Sequence, residues 1–260
     1  MSSPHLWDRA GALPVPAGNR PRPQLVALSS AEPSLEELFT FMRDAELRFS
    51  TLRMRIEERT WTARGEHLVV MDTVLRHPGW AKVTSSEPGR GPAGSYEIWI
   101  SDGETVRTYS APKKLGTERP VRHTVRGLED PDFPGRAKVY YPLTPLPMET
   151  LPDVFVHPAG FLQNVVATGS CRISGTGVVA GREAVFVECD HPRATELHFD
   201  RPDFHVQLAV DRDTGVILRQ VETVGGEITR LAEVVDFGPD ASLPPTAFDF
   251  RFPPEARMLF

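Results

Sequence analysis

A field of one sign is what this sequence most plainly lacks. Its 29 Lys and Arg are scattered among 35 Asp and Glu, for a formal net charge of −6. No basic stripe exists to follow a phosphate backbone, so nucleic acid is not an expected partner. Cysteine is scarce, with two in 260 residues, too few for a disulfide scaffold. Their separation is also not a CxxC spacing, which argues against zinc or thioredoxin-like chemistry. No run approaches the roughly 18 apolar residues of a membrane-spanning helix, so no transmembrane segment is expected. The first 30 or so residues also lack the apolar run of a secretory signal. Read as written, the chain belongs in the cytoplasm; if its start is a processed or truncated form, it belongs in the cell envelope.

The signatures of catalysis are missing too. There is no HExxH, GxSxG, GxxxxGK[ST] or GxGxxG, and Gly175-Thr176-Gly177 lies in a hairpin, not between a strand and a helix. No enzymatic activity, cofactor or metal is therefore expected. Of the eight histidines, His77, His157 and His191 precede proline and are expected in turns at the surface. Neighbouring carboxylates such as Glu57 and Glu58 would point to opposite faces of a strand, and are expected as solvated charges.

What is present is alternation. The 25 prolines outnumber the 20 glycines and fall mostly between periodic segments, which suits many strand-to-strand connections. Residues 1–32 have no periodicity and are expected to form a flexible arm before one domain over 33–260. Ser34 and Glu37 make a capping box, and Leu35, Leu38, Phe39, Met42, Ala45 and Phe49 follow at helical spacing, which predicts a helix over 34–49. The period then becomes two, with Leu52, Met54 and Ile56 alternating with Arg53, Arg55 and Glu57. Strands are expected over 67–76 and 80–85, and as a hairpin over 96–110 closed by Asp102-Gly103. Residues 121–125 are a further strand candidate, and 158–166 reads as a second helix. Strands follow over 167–173, 184–189, 196–199, 204–210, 216–224 and 227–235, then a last alternating piece, 248–252. In YEIWI (96–100), Tyr96, Ile98 and Ile100 share one face and Trp99 takes the other, so both faces need cover.

In this order the chain resembles the superfamily of the outer-membrane lipoprotein carrier LolA and the RseB/MucB-type regulators of envelope-stress sigma factors. The amphipathic helix runs straight into a strand. WISDGETVRTY (99–109) is similar to the family's apolar strand, DG turn and tyrosine-ended strand. VAGREAVFV (179–187) and LAVDRDTGVILR (208–219) resemble two further family segments, and FDFRFPP (248–254) its closing one. The resemblance implies a mainly β fold with some α: a curved antiparallel sheet, an incomplete β-barrel, with helices covering the concave face. It also implies a non-enzymatic carrier or sensor of an apolar ligand, such as a lipid, acyl chain or lipoprotein. The alternative is a regulator of the RseB/MucB kind that binds a peptide partner.

Under that reading, the candidate cavity lining is Phe39, Met42, Met54, Ile56, Met71, Trp80, Trp99 and Phe161, whose soft or broad side chains tolerate a mobile apolar guest. A hairpin centred on Ala180 would set Cys171 opposite Cys189. They are a candidate disulfide pair, although free buried thiols are the commoner state in a chain without a secretion signal.

Overall fold

A computed structural model of the chain describes residues 25, 27–28, 32–89, 95–122, 141–164, 166, 169–190 and 202–259. The capping box forms as its sequence dictates: Ser34 Oγ accepts the Glu37 amide at 3.2 Å, and Glu37 Oε2 accepts the Ser34 amide at 2.7 Å. Helix α1, Leu35–Arg43, follows. It is shorter than the 34–49 expected, because Asp44 ends it and Ala45–Arg48 continues as a 3-10 turn. Its buried face holds Leu38, Phe39 and Met42 as expected, and Phe41 as well. The Arg48 guanidinium lies 3.8 Å from the Phe41 ring centroid and covers it.

Twelve strands then build one open sheet. The first meander is β1 (Thr51–Thr62), β2 (Gly65–Arg76), β3 (Trp80–Ser86), β4 (Glu97–Asp102), β5 (Thr105–Ser110) and β6 (Leu115–Pro120). Helices α2 (Leu151–Val156) and α3 (Pro158–Asn164) precede the second meander: β7 (Ser170–Val179), β8 (Arg182–Asp190), β9 (Phe204–Asp211), β10 (Ile217–Val224) and β11 (Glu227–Pro239). A short β12, Arg257–Leu259, ends the order β12-β6-β5-β4-β3-β2-β1-β11-β10-β9-β8-β7. The sheet does not close on itself and forms a curved, incomplete barrel. All pairs are antiparallel except β12 with β6.

The turns follow local chemistry. Asp102 Oδ1 accepts the amides of Glu104 and Thr105 at 3.0 and 2.7 Å, and Gly103 takes φ 93°, a left-handed conformation costly for other residues. Strands β6 and β12 and helix α2 are not among the elements that the sequence pattern predicts. The strand expected over 248–252 does not form: Pro245–Phe248 is a 3-10 turn and no strand follows until β12. Residues 121 and 122 lie beyond β6 without strand geometry; the rest of 121–125, and 196–199, lie outside the described residues. Of the strand expected over 167–173, residues 167 and 168 lie outside the described residues, and β7 is described from Ser170.

Instead of adding a strand, the C-terminal segment covers the outer face of the first meander. Ile98 stands opposite Tyr109, whose ring meets Phe250 and Phe252 at 6.3 and 6.5 Å. Ile98 and Ile100 are buried on this side, while Trp99 points to the other and packs against the main core. Gly116, opposite Tyr109, leaves room for Phe252: a Cβ there would lie 2.7 Å from that ring. Both faces of the hairpin are thus covered, as the alternation required.

The main core lies between the inner face and the helices, and includes Leu38, Leu52, Leu75, Phe155, Leu208 and Val234. Phe39→Asp should destabilise the protein by on the order of 4 kcal/mol, because it puts an unpaired charge into that layer. Thermal unfolding checks this, and an unchanged midpoint would remove Phe39 from the packed face.

Candidate functional site

Alternation in β1 and β2 sets Met54, Ile56 and Met71 on the inner face, with Ile56 directly opposite Met71. They join Phe39 and Met42 of α1 in one buried cluster, against which Trp99 and Phe161 pack with part of their surface still open. Seven of the eight proposed lining residues therefore share one layer. Trp80 does not: Ala81 and Val83 take the inner face of β3, and Trp80 points outward. There its ring meets Phe248 at 5.7 Å and the Arg76 guanidinium at 5.0 Å. Thr73, opposite Met54, is 1 % exposed in this apolar layer, and its hydroxyl has no hydrogen-bond partner among the described residues.

Farther along the inner face the character changes. Register aligns Val69, Glu58, Ala232, Gln220, Leu208 and Val187 in one row across β2, β1, β11, β10, β9 and β8. The next row reads His67, Thr60, Arg230, Glu222, Val206 and Cys189. Arg230 ties three strands: Nε donates to Glu58 Oε1 at 2.7 Å and Nη1 to Glu222 Oε1 at 3.1 Å. Gln220 Nε2 donates to the same Glu222 oxygen at 2.7 Å. Burial pushes the guanidinium pKa down, but Glu222 and Glu58 outweigh it and hold the pKa above its usual range. Glu58, expected as a solvated charge, is 17 % exposed at its side chain and paired. The sequence offered no signal for this cluster, since its members lie on three separate strands.

A second ionic group ties the helices down. His157, expected at the surface, is fully buried: Nδ1 bonds Asp153 Oδ1 at 2.9 Å, and Nε2 faces Glu46 Oε2 at 3.2 Å, a charge contact, not an aligned hydrogen bond. Burial alone would lower its pKa, but the Glu46 and Asp153 carboxylates reverse that and hold it at about 9. Glu46 Oε2 also accepts the Leu143 amide at 2.8 Å. His77, also expected at the surface, is half-buried nearby, with its ring stacked on Phe49 at 5.3 Å. Thr144 Oγ1 accepts the Gly79 amide at 2.9 Å, which frees its hydrogen for His77 Nδ1 at 2.7 Å. Burial, reinforced by the His157 charge, lowers the His77 pKa to about 4.

Cys171 and Cys189 pair across β7 and β8 as the Ala180 hairpin required, with the Cys171 thiol donating to the Cys189 sulfur at 2.8 Å. Hydrogen bonding to Cys171 and burial push the Cys189 thiol up, so it stays protonated. Among the described residues, no group of three or more His, Cys, Asp or Glu is arranged to hold a metal ion, and no helix is long and apolar enough to cross a membrane.

These features define a class: an open antiparallel half-barrel whose inner face carries an apolar layer beneath helices and a charged row beside it. No family profile matches the sequence, and no curated protein matches it. Among solved structures the chain is similar to a chain of the Pseudomonas aeruginosa MucA/MucB complex, with 14 % identity and a TM-score of 0.48, covering 86 % of this chain and 62 % of that one. It is also similar to the Mycobacterium tuberculosis lipoprotein LppX, with 11 % identity and a TM-score of 0.41, covering 81 % and 99 %. A third likeness is to a LolA superfamily protein from Nitrosomonas europaea, with 10 % identity and a TM-score of 0.32, covering 81 % and 96 %. The chain spans about three fifths of the MucB chains it matches.

Proposed function

We propose that the protein is a non-enzymatic carrier or sensor that takes an apolar ligand, a lipid or acyl chain, between the helices and the inner face of the sheet. One observation carries this reading. Flexible Met42, Met54 and Met71 come from three elements into the layer that also holds the unpartnered Thr73 hydroxyl. Unbranched thioether side chains re-pack around a guest at little cost, and a buried hydroxyl without a partner is a standing penalty that a ligand carbonyl would relieve. Trp99 and Phe161, part-buried at the margin of the layer, stand where a chain would enter. A role of this kind belongs in the cell envelope, where lipids must cross water.

An apolar fluorescent probe should bind with micromolar-class affinity and be displaced by fatty acid. Met71→Arg should abolish binding, while Met71→Leu keeps both binding and the melting temperature. Absence of probe binding to well-folded protein would make this layer ordinary core.

A second reading, a peptide-binding regulator, is favoured by β7. It forms one end of the sheet, and among the described residues no strand pairs with its outer edge; an added strand could dock on such an edge. Protection of β7 amides by a bound partner, with the probe still bound, would support it.

A further inference from the structure

We propose that the charged row of the inner face binds the primary ammonium head group of an amphiphile whose hydrocarbon part lies along the apolar layer. This rests on the apolar-ligand reading and adds the chemistry of the head group. Two carboxylates, Glu58 and Glu222, face a single guanidinium, Arg230, so among the described residues the cluster is one positive charge short. Glu222 Oε1 already takes donors from Gln220 and Arg230, and Glu58 Oε1 takes Arg230 Nε. The second oxygen of each carboxylate has no protein donor among the described residues.

Gln220 supplies an independent sign. It is 3 % exposed, and its Oε1 has no hydrogen-bond partner among the described residues. Its orientation is fixed, because the carboxylate at Glu222 only accepts and must face the amide nitrogen. A buried amide oxygen is thus left waiting for a donor.

A primary ammonium carries one positive charge and three N–H donors, which meet both deficits. A carboxylate or phosphate would add acceptors and negative charge. An alcohol brings one donor and no charge, and a quaternary ammonium brings charge without an N–H. The register sets where the rest of the ligand goes: Gln220 stands between Leu208 and Ala232, and Glu222 beside Val206, so a chain leaving the head group runs directly onto apolar surface. His67, across Thr60 from Arg230, faces Glu87 at 3.1 Å without an aligned hydrogen bond, and its closest described carboxylate is Glu87 and not Glu58 or Glu222.

Calorimetric titration of the full chain with decylammonium, decyltrimethylammonium, decanoate and 1-decanol tests the proposal. Decylammonium should bind about tenfold tighter than the other three, the difference that one desolvated charge-assisted hydrogen bond makes. Gln220→Leu and Glu222→Gln should each erase that preference. Gln220→Leu removes an unsatisfied group, so it should fold even if Glu222→Gln does not. Equal affinity for all four heads overturns the head-group inference and leaves the carrier reading standing. A decylammonium preference that survives both substitutions places its site elsewhere and also overturns the inference. Binding by none of the four overturns both readings.

Discussion

Urea unfolding repeated between about pH 4 and pH 10 should give the highest stability near the ordinary histidine pKa, with a loss of about 3 kcal/mol on each side. Buried His157 and half-buried His77 produce the two limbs. His157 titrates at about 9 when folded, above the ordinary 6.5, so the folded chain holds a proton that the unfolded chain releases. Its stabilisation is complete below 6.5 and is lost as pH rises through 9. His77 titrates at about 4 when folded, so here the unfolded chain takes up the proton first. Stability is lost as pH falls from 6.5 through 4, while above 6.5 both states are neutral and His77 contributes nothing. Glu46, also held below its usual range, shares the His157 interaction and is not a separate gain. His157→Gln should flatten the alkaline limb and His77→Asn the acid one, since the Asn carbonyl can still accept the Thr144 hydroxyl. A flat profile in the parent would mean that neither ring is held as described.

Asp211→Ala should cost about 3 kcal/mol or more, the largest effect expected of any single polar truncation here, because it removes the centre of a buried knot and leaves its partners unpaired. Asp211 is fully buried. It receives Arg182 Nε and Nη2 at 2.9 and 3.1 Å, and the Thr214 amide and hydroxyl at 2.9 and 2.6 Å. The knot shapes the turn through Gly215, which has φ 80° and lies so close to α1 that a Cβ there would be 3.1 Å from the Met42 Cα. The turn is thus a seat for the helix over the candidate site. Asp211→Asn should retain more stability than Asp211→Ala, since one oxygen can still accept from Thr214. Denaturant midpoints with unchanged slopes would separate lost stability from altered compactness. Equal midpoints for Asp211→Ala and the parent would show that the knot holds nothing.

Local rules made much of the fold legible. The Ser34 capping box, the Asp102-Gly103 turn and the Ala180-Gly181 turn each involve residues a few positions apart, and each formed as read. Elements held by distant partners were not legible. Strand β6, LGTERP, is nearly devoid of apolar side chains and is fixed by pairing with β5 and β12. Helix α2, LPDVFV, has five of its six residues buried, so it shows no amphipathic period. The piece 248–252 alternates like a strand, yet its phenylalanines serve a face of the sheet and not its edge. At the candidate site, alternation grouped the apolar residues but left the phase of β3 open, which misassigned Trp80. Glu46, Asp153 and His157 gave no joint signal, because the Glu46 partnership spans two helical segments far apart in sequence.

The seam between the two meanders has a consequence for how the chain reaches this shape. Every pairing within β1 to β6, and within β7 to β11, joins strands adjacent in sequence, so each half can zip from its own turns. The β1–β11 seam differs: its Glu58–Arg230 contact spans 172 positions. Loop closure grows only logarithmically with length, so this distance weakens the finished sheet little but defers its assembly. The two halves meet edge to edge only at this seam, which has the largest sequence separation of any pairing in the sheet. The inner face exists only after that meeting, because Glu58 comes from one half, and Glu222 and Arg230 from the other.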